Sequence, residues 1–161
     1  MFTISNNVNY EKQIMNIDMI IEMWKKDAEI DELNLDETSR QSARLHAKYL
    51  ELLTHAKLKH KKLEMDFKVL LKNKWLWYNG KMPRAQIDEL GWEYDALNGL
   101  KILKGEMDYY YDADPHIQEA QARIELQKAM IDTLQEIMEN IKWRHQNIKN
   151  MIEWRKFTSG V

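Results

Sequence analysis

Residues 115–157 read PHIQEAQARIELQKAMIDTLQEIMENIKWRHQNIKNMIEWRKF, and this stretch decides the fold. Asp114-Pro115 marks its start: the carboxylate can cap a first helical turn, and proline fits the first helical position, where no backbone donor is required. With Ile117 as heptad position a, the a positions are Ile117, Ile124, Ile131, Met138, His145 and Ile152. The d positions are Ala120, Gln127, Leu134, Ile141, Ile148 and Arg155, so nine of these twelve residues are apolar. A strict seven-residue repeat over about six heptads is the mark of coiled-coil-like packing, because an ordinary amphipathic face drifts from that register. One long helix is expected, with Ile117, Ile124, Ile131, Leu134, Met138, Ile141, Ile148 and Ile152 as its oligomerisation seam. The g positions Arg123, Met130, Ile137, Arg144 and Met151 widen the apolar surface, and isoleucine at both a and d disfavours a simple dimer. The same breadth suits packing against other helices of the same chain, which is the alternative.

The rest of the chain agrees with an all-α class. With 161 residues, 5 Gly, 2 Pro and no Cys, it is the size of one domain and poor in turn formers. Ile14, Ile17, Ile21, Trp24 and Ala28 form a stripe that predicts a helix from about Tyr10 to Ile30. Thr38 and Gln41 have capping-box spacing, so a second helix is expected to begin there. Its apolar face runs through Leu45, Tyr49, Leu52, Ala56, Leu63, Phe67 and Leu70 to Tyr78, where Asn79-Gly80 supplies a turn. Pro83, Gly91, Gly99 and Gly105 break residues 80–114 into short helices and turns. The expected organisation is therefore a helical part over 1–84, short elements over 85–114, and the long helix over 115–161. Helices of about 40 residues rise roughly 60 Å, so two of them either bend or project beyond a small globule.

No run approaches the roughly 20 apolar residues that cross a bilayer, so no membrane association is expected. The absence of cysteine excludes disulfides, thiolate zinc sites and a cysteine nucleophile. No phosphate loop, metalloprotease motif or nucleophile elbow occurs, and no catalytic residue, cofactor or metal site is expected. Asp108, Asp112 and Asp114 lack calcium-loop spacing and read as capping residues.

The net charge of -2 hides four blocks. Residues 1–54 carry 6 basic and 10 acidic side chains, residues 55–84 carry 9 and 2, residues 85–141 carry 4 and 13, and residues 142–161 carry 5 and 1. The second block is a candidate polyanion site. Lys57, Lys61, Lys68 and Lys72 fall within about 60° on a helix wheel, well away from the apolar face. Lys74 instead continues the apolar face, where burial of an ammonium is costly, so the helix is expected to bend or become exposed there. Trp75, Trp77, Tyr78, Lys81 and Arg84 follow. Lysines with aromatics are the ingredients of single-strand binding, since cations neutralise phosphates and rings stack on unpaired bases. The opposing reading is that two of the three aromatics seal the helix end.

The run Leu45-His46-Ala47-Lys48-Tyr49-Leu50 through Leu71-Lys72-Asn73-Lys74-Trp75-Leu76-Trp77-Tyr78-Asn79-Gly80 resembles the UvsY recombination mediators of T-even-type phages. The likeness returns in Ile141-Lys142 to Arg144, Ile148-Lys149, Ile152 and Arg155 to Phe157. It implies a non-enzymatic protein that binds single-stranded DNA and helps to load a RecA-like recombinase onto strand covered by single-strand-binding protein. It also implies a homo-oligomer, a ring of six or seven copies, acting in the cytoplasm of a bacterial host. The DNA-binding positions of the Leu-Lys-x-basic element correspond to Lys72 and Lys74. The alternative from a different class is a helical assembly protein whose basic stripe docks an acidic partner.

Overall fold

A computed structural model describes residues 17–160, and all its regular elements are helices. Helix α1 covers 17–27, α2 spans Leu35–Tyr78, α3 Arg84–Leu90, α4 Met107–Ala113 and α5 Pro115–Ser159. The expected start of the first helix near Tyr10, with Ile14, lies outside the described residues. Both long helices run as single elements of 44 and 45 residues. The described residues form two compact units, 17–59 with 126–160, and 60–125. The division falls within the two long helices rather than at their ends.

In the first unit Tyr49, Leu53 and Ala56 of α2 pack with Met130, Leu134, Ile137 and Ile141 of α5. Ile17, Ile20, Met23 and Trp24 of α1 close over this core. Trp24 meets Tyr49 edge to face at 5.4 Å, and the Tyr49 hydroxyl donates to Asp27 at 2.9 Å. Lys48 pairs with the same carboxylate at 2.6 Å, so α1 is fastened by an aromatic contact and a polar one together.

The start of α2 differs from the capping box expected at Thr38 and Gln41. The helix begins one turn earlier, at Leu35, because Asp31 organises the preceding turn: its carboxylate accepts from the Leu33 amide and the Asn34 side chain. Thr38 is buried and donates to the Asp31 carbonyl rather than capping a free end.

The packing register of α5 also differs from expectation. Its buried residues between 127 and 148 are Gln127, Met130, Leu134, Ile137, Ile141, Arg144 and Ile148, which alternate between the d and g positions. The expected a-position members fare differently: Ile131 and Met138 sit at the core's edge, while His145 and Ile152 are exposed. Three apolar heptad positions offer two seams, and two neighbouring helices on one side select the d/g seam. Leu134, Ile141 and Ile148 are thus buried within the chain itself. In the second unit Ile117 is buried and Ile124 half-buried. The exposed apolar surface near the end of α5 is instead Trp143, Ile152, Trp154 and Phe157. Buried Arg144 reaches the far end of α1, where its two terminal nitrogens donate to the carbonyls of Ala28 and Glu29, each at 2.7 Å.

Candidate nucleic-acid interface

The basic segment lies on the last part of α2 and the turn after it. Lys61, Lys68 and Lys72 are exposed, and successive spacings of seven and four residues keep them on one face. Trp75 follows Lys68 by seven and Lys72 by three, so its ring extends the same face, and it is 41% exposed. The Lys81 ammonium sits 4.6 Å from that ring's centroid. Of these cations only Lys61 has a carboxylate nearby among the described residues, an exposed pair with Glu64 at 3.6 Å of the kind that contributes little. Lys57 is exposed too but belongs to the first unit. Arg84 is exposed at the start of α3, 5.8 Å from the Tyr94 ring.

The other two aromatics turn inward. Trp77 donates its indole N–H to the Glu93 carbonyl at 2.7 Å and packs on Trp92 at 5.2 Å. Tyr78 packs on Tyr110 and donates its hydroxyl to Asp114 at 2.8 Å. These two rings seal the helix end, leaving Trp75 as the aromatic that can stack on a base.

Lys74 departs furthest from expectation. The helix continues unbroken to Tyr78 and buries it: its side chain is 1% exposed, and its Nζ lies 2.8 Å from the Asp114 carboxylate, itself 2% exposed. The same nitrogen is 3.0 Å from His116 Nδ1 and sits over the Trp77 and Trp92 rings, 4.4 and 4.1 Å from their centroids. Burial draws Lys74 below its ordinary value, with the Asp114 contact opposing it. Burial also acts to raise the Asp114 carboxyl, but hydrogen bonds from Lys74, Tyr78 and the Ile117 amide outweigh it and hold the group below the usual carboxylate range. His116 is held below its usual value by burial and by the Lys74 charge; an ammonium has only donors, so its 3.0 Å contact requires Nδ1 as the acceptor.

Asp114 does cap α5, its Oδ1 accepting from the amides of His116 and Ile117 at 2.9 and 3.2 Å. Its second role, as the partner of a buried lysine, follows from the burial: a lysine taken out of water requires a carboxylate. Nothing in the spacing said which of the thirteen acids of residues 85–141 it would be. Trp92 and His116 carried no signal of their own. Among the described residues no cluster could hold a metal ion, and no helix is long and apolar enough to cross a membrane.

Residues 23–161 match the family described as "Recombination, repair and ssDNA binding protein UvsY". The chain belongs to the UvsY family. Two crystal forms of the bacteriophage T4 recombination mediator protein UvsY share its fold. One has a TM-score of 0.74 at 22% identity, covering 88% of this chain and 96% of that one. The other has a TM-score of 0.72 at 23% identity, covering 85% and 96%. Comparison with curated protein sequences gives no match.

Proposed function

We propose that this chain is a recombination mediator that holds single-stranded DNA on the α2 face formed by Lys61, Lys68, Lys72 and Trp75, with Lys81 beside it. The observation that carries this reading is one exposed indole in line with three exposed lysines, in a chain of a single-strand-binding family. Phosphates follow the lysines while a base stacks on Trp75, an arrangement with little sequence preference. No bond is made or broken. The bound strand is handed to a RecA-like recombinase in place of single-strand-binding protein, in the cytoplasm of a bacterial host. Several copies in a ring multiply moderate contacts by effective concentration, and the exposed Ile152, Trp154 and Phe157 give α5 apolar surface for such contacts.

Titration with oligo-dT at several salt concentrations tests this reading. Binding should quench tryptophan emission in wild type, and a Trp75→Phe variant should lose that part of the quenching. Replacing Lys61, Lys68 and Lys72 together by alanine should weaken binding and make the log-log salt slope shallower by about 2, from roughly 0.7 per lost single-strand phosphate contact. A wild-type protein that shows no binding up to high micromolar DNA rejects strand binding and leaves docking of an acidic protein partner as the use of the basic face.

A further inference from the structure

We infer that Lys74 serves strand binding as a positioning residue: it ties the last turn of α2 to the first turn of α5 through Asp114 and touches no phosphate. The inference rests on the strand-binding reading above and concerns a residue that the Leu-Lys-x-basic element would place on DNA beside Lys72.

Helix geometry opposes that pairing. Positions two apart on an α-helix point about 160° away from each other, so Lys72 and Lys74 cannot follow one strand along one face. Lys72 is exposed on the face of Lys61, Lys68 and Trp75, whereas Lys74 points into the second unit. Its donors are also occupied. An ammonium has three protons; one is directed at Asp114, a second at His116 Nδ1, and the rest of the charge is covered by two indole faces.

Asp114 completes the tether. One carboxylate oxygen receives Lys74 and the Tyr78 hydroxyl, both from the end of α2, and the other receives the first free amides of α5. Trp75 is the residue after Lys74, and Tyr78 lies one turn further on. Holding this turn in place therefore fixes the direction of the Trp75 ring and of Lys72 behind it. Loss of the tether lets the last turn fray, and the stacking ring loses its alignment with the lysines.

The test is anisotropy of dye-labelled oligo-dT with the full chain at several salt concentrations, with melting followed in parallel. Lys72→Ala should weaken binding and make the salt slope shallower by about 0.7 to 1, as for a lost phosphate contact. Lys74→Met should weaken binding several-fold with the slope unchanged. Asp114→Asn keeps the Lys74 charge, the α5 cap and a partner for Tyr78 but removes the ion pair; it too should weaken binding at unchanged slope. The double variant Lys74→Met with Asp114→Asn has no unpaired buried charge and keeps the contacts of position 114 to Tyr78 and the α5 amides, so it should melt above both single variants and recover part of the lost binding at unchanged slope. The inference is overturned if Lys74→Met makes the slope shallower by about 1 and the double variant stays equally weak. It is also overturned if Asp114→Asn, which frees the lysine, binds as tightly as wild type or more tightly. Absent binding by wild type rejects the strand-binding reading and this inference with it, while the melting order still reports whether the tether exists.

Discussion

Asp114→Ala should destabilise the second unit by about 3–5 kcal/mol, the loss typical of removing one partner from a buried ion pair. Three costs coincide. The Lys74 ammonium, 1% exposed, keeps only a histidine nitrogen and two ring faces. The Tyr78 hydroxyl loses its acceptor, and the amides of His116 and Ile117 lose their cap. Urea unfolding followed by tryptophan emission should show the lower midpoint. Asp114→Asn, which keeps the cap, should fall between the variant and wild type. The pH dependence has a defined sign. A carboxyl whose folded-state pKa is depressed contributes stability above its unfolded value, about 3.9, and loses it as pH falls through the folded value. The Asp114 carboxyl is depressed in this way, so the gap between wild type and Asp114→Asn should be constant from pH 7 to about 5 and close below about 4. A gap that narrows around neutral pH, or an Asp114→Ala midpoint equal to wild type, would show that the pair does not support the fold.

The helices were legible because their signals are local. Pro115 after Asp114 fixed the start of α5, and Asn79-Gly80 fixed the end of α2, since each depends only on neighbouring backbone groups. The basic face was legible for the same reason: Lys57, Lys61, Lys68 and Lys72 share a face by spacing alone, whereas the place of Trp75 beside them came with the structure. The α5 seam was only half legible. Periodicity showed that a, d and g positions are all apolar, but the choice of d/g over a/d depends on where α1 and α2 lie, which no heptad records. Lys74 illustrates the same limit at one residue. Its position on the apolar face was plain, and the cost of burying it argued for exposure; the partner 40 residues away that reverses the conclusion was visible only as a cap. Trp77 and Tyr78 were indistinguishable from Trp75 in composition. What separates them is the presence of acceptors at Glu93 and Asp114, a property of the fold.

Arg144→Met should cost about 2–3 kcal/mol and lower the melting temperature by roughly 5–10 °C, the usual conversion for a domain of this length. In the sequence this residue is one basic member of a C-terminal cluster of five in residues 142–161 and a g position of the α5 repeat. In the structure it is 4% exposed, and its guanidinium closes the carboxyl end of α1. Carbonyls at a helix end lack intrahelical donors, and a cation there also meets the favourable end of the helix dipole. The planar fork matches the two carbonyls of Ala28 and Glu29 together, which a single ammonium cannot do. Arg144→Lys should therefore recover less than half of the loss. The net cost stays near 2–3 kcal/mol because burial itself penalises the charge and Nε has no acceptor among the described residues, so methionine relieves part of what it removes. Arg155 makes a related contact to the Glu32 carbonyl, which means that α5 holds the α1–α2 connection at two points one above the other. Hydrogen exchange distinguishes this role from a generic loss of core packing. Arg144→Met should speed exchange in α1 and the 28–34 connection first, while the α2 and α5 amides around Tyr49 and Leu134 stay protected. Uniform acceleration across all three helices would mean that Arg144 supports the whole core rather than the seat of α1.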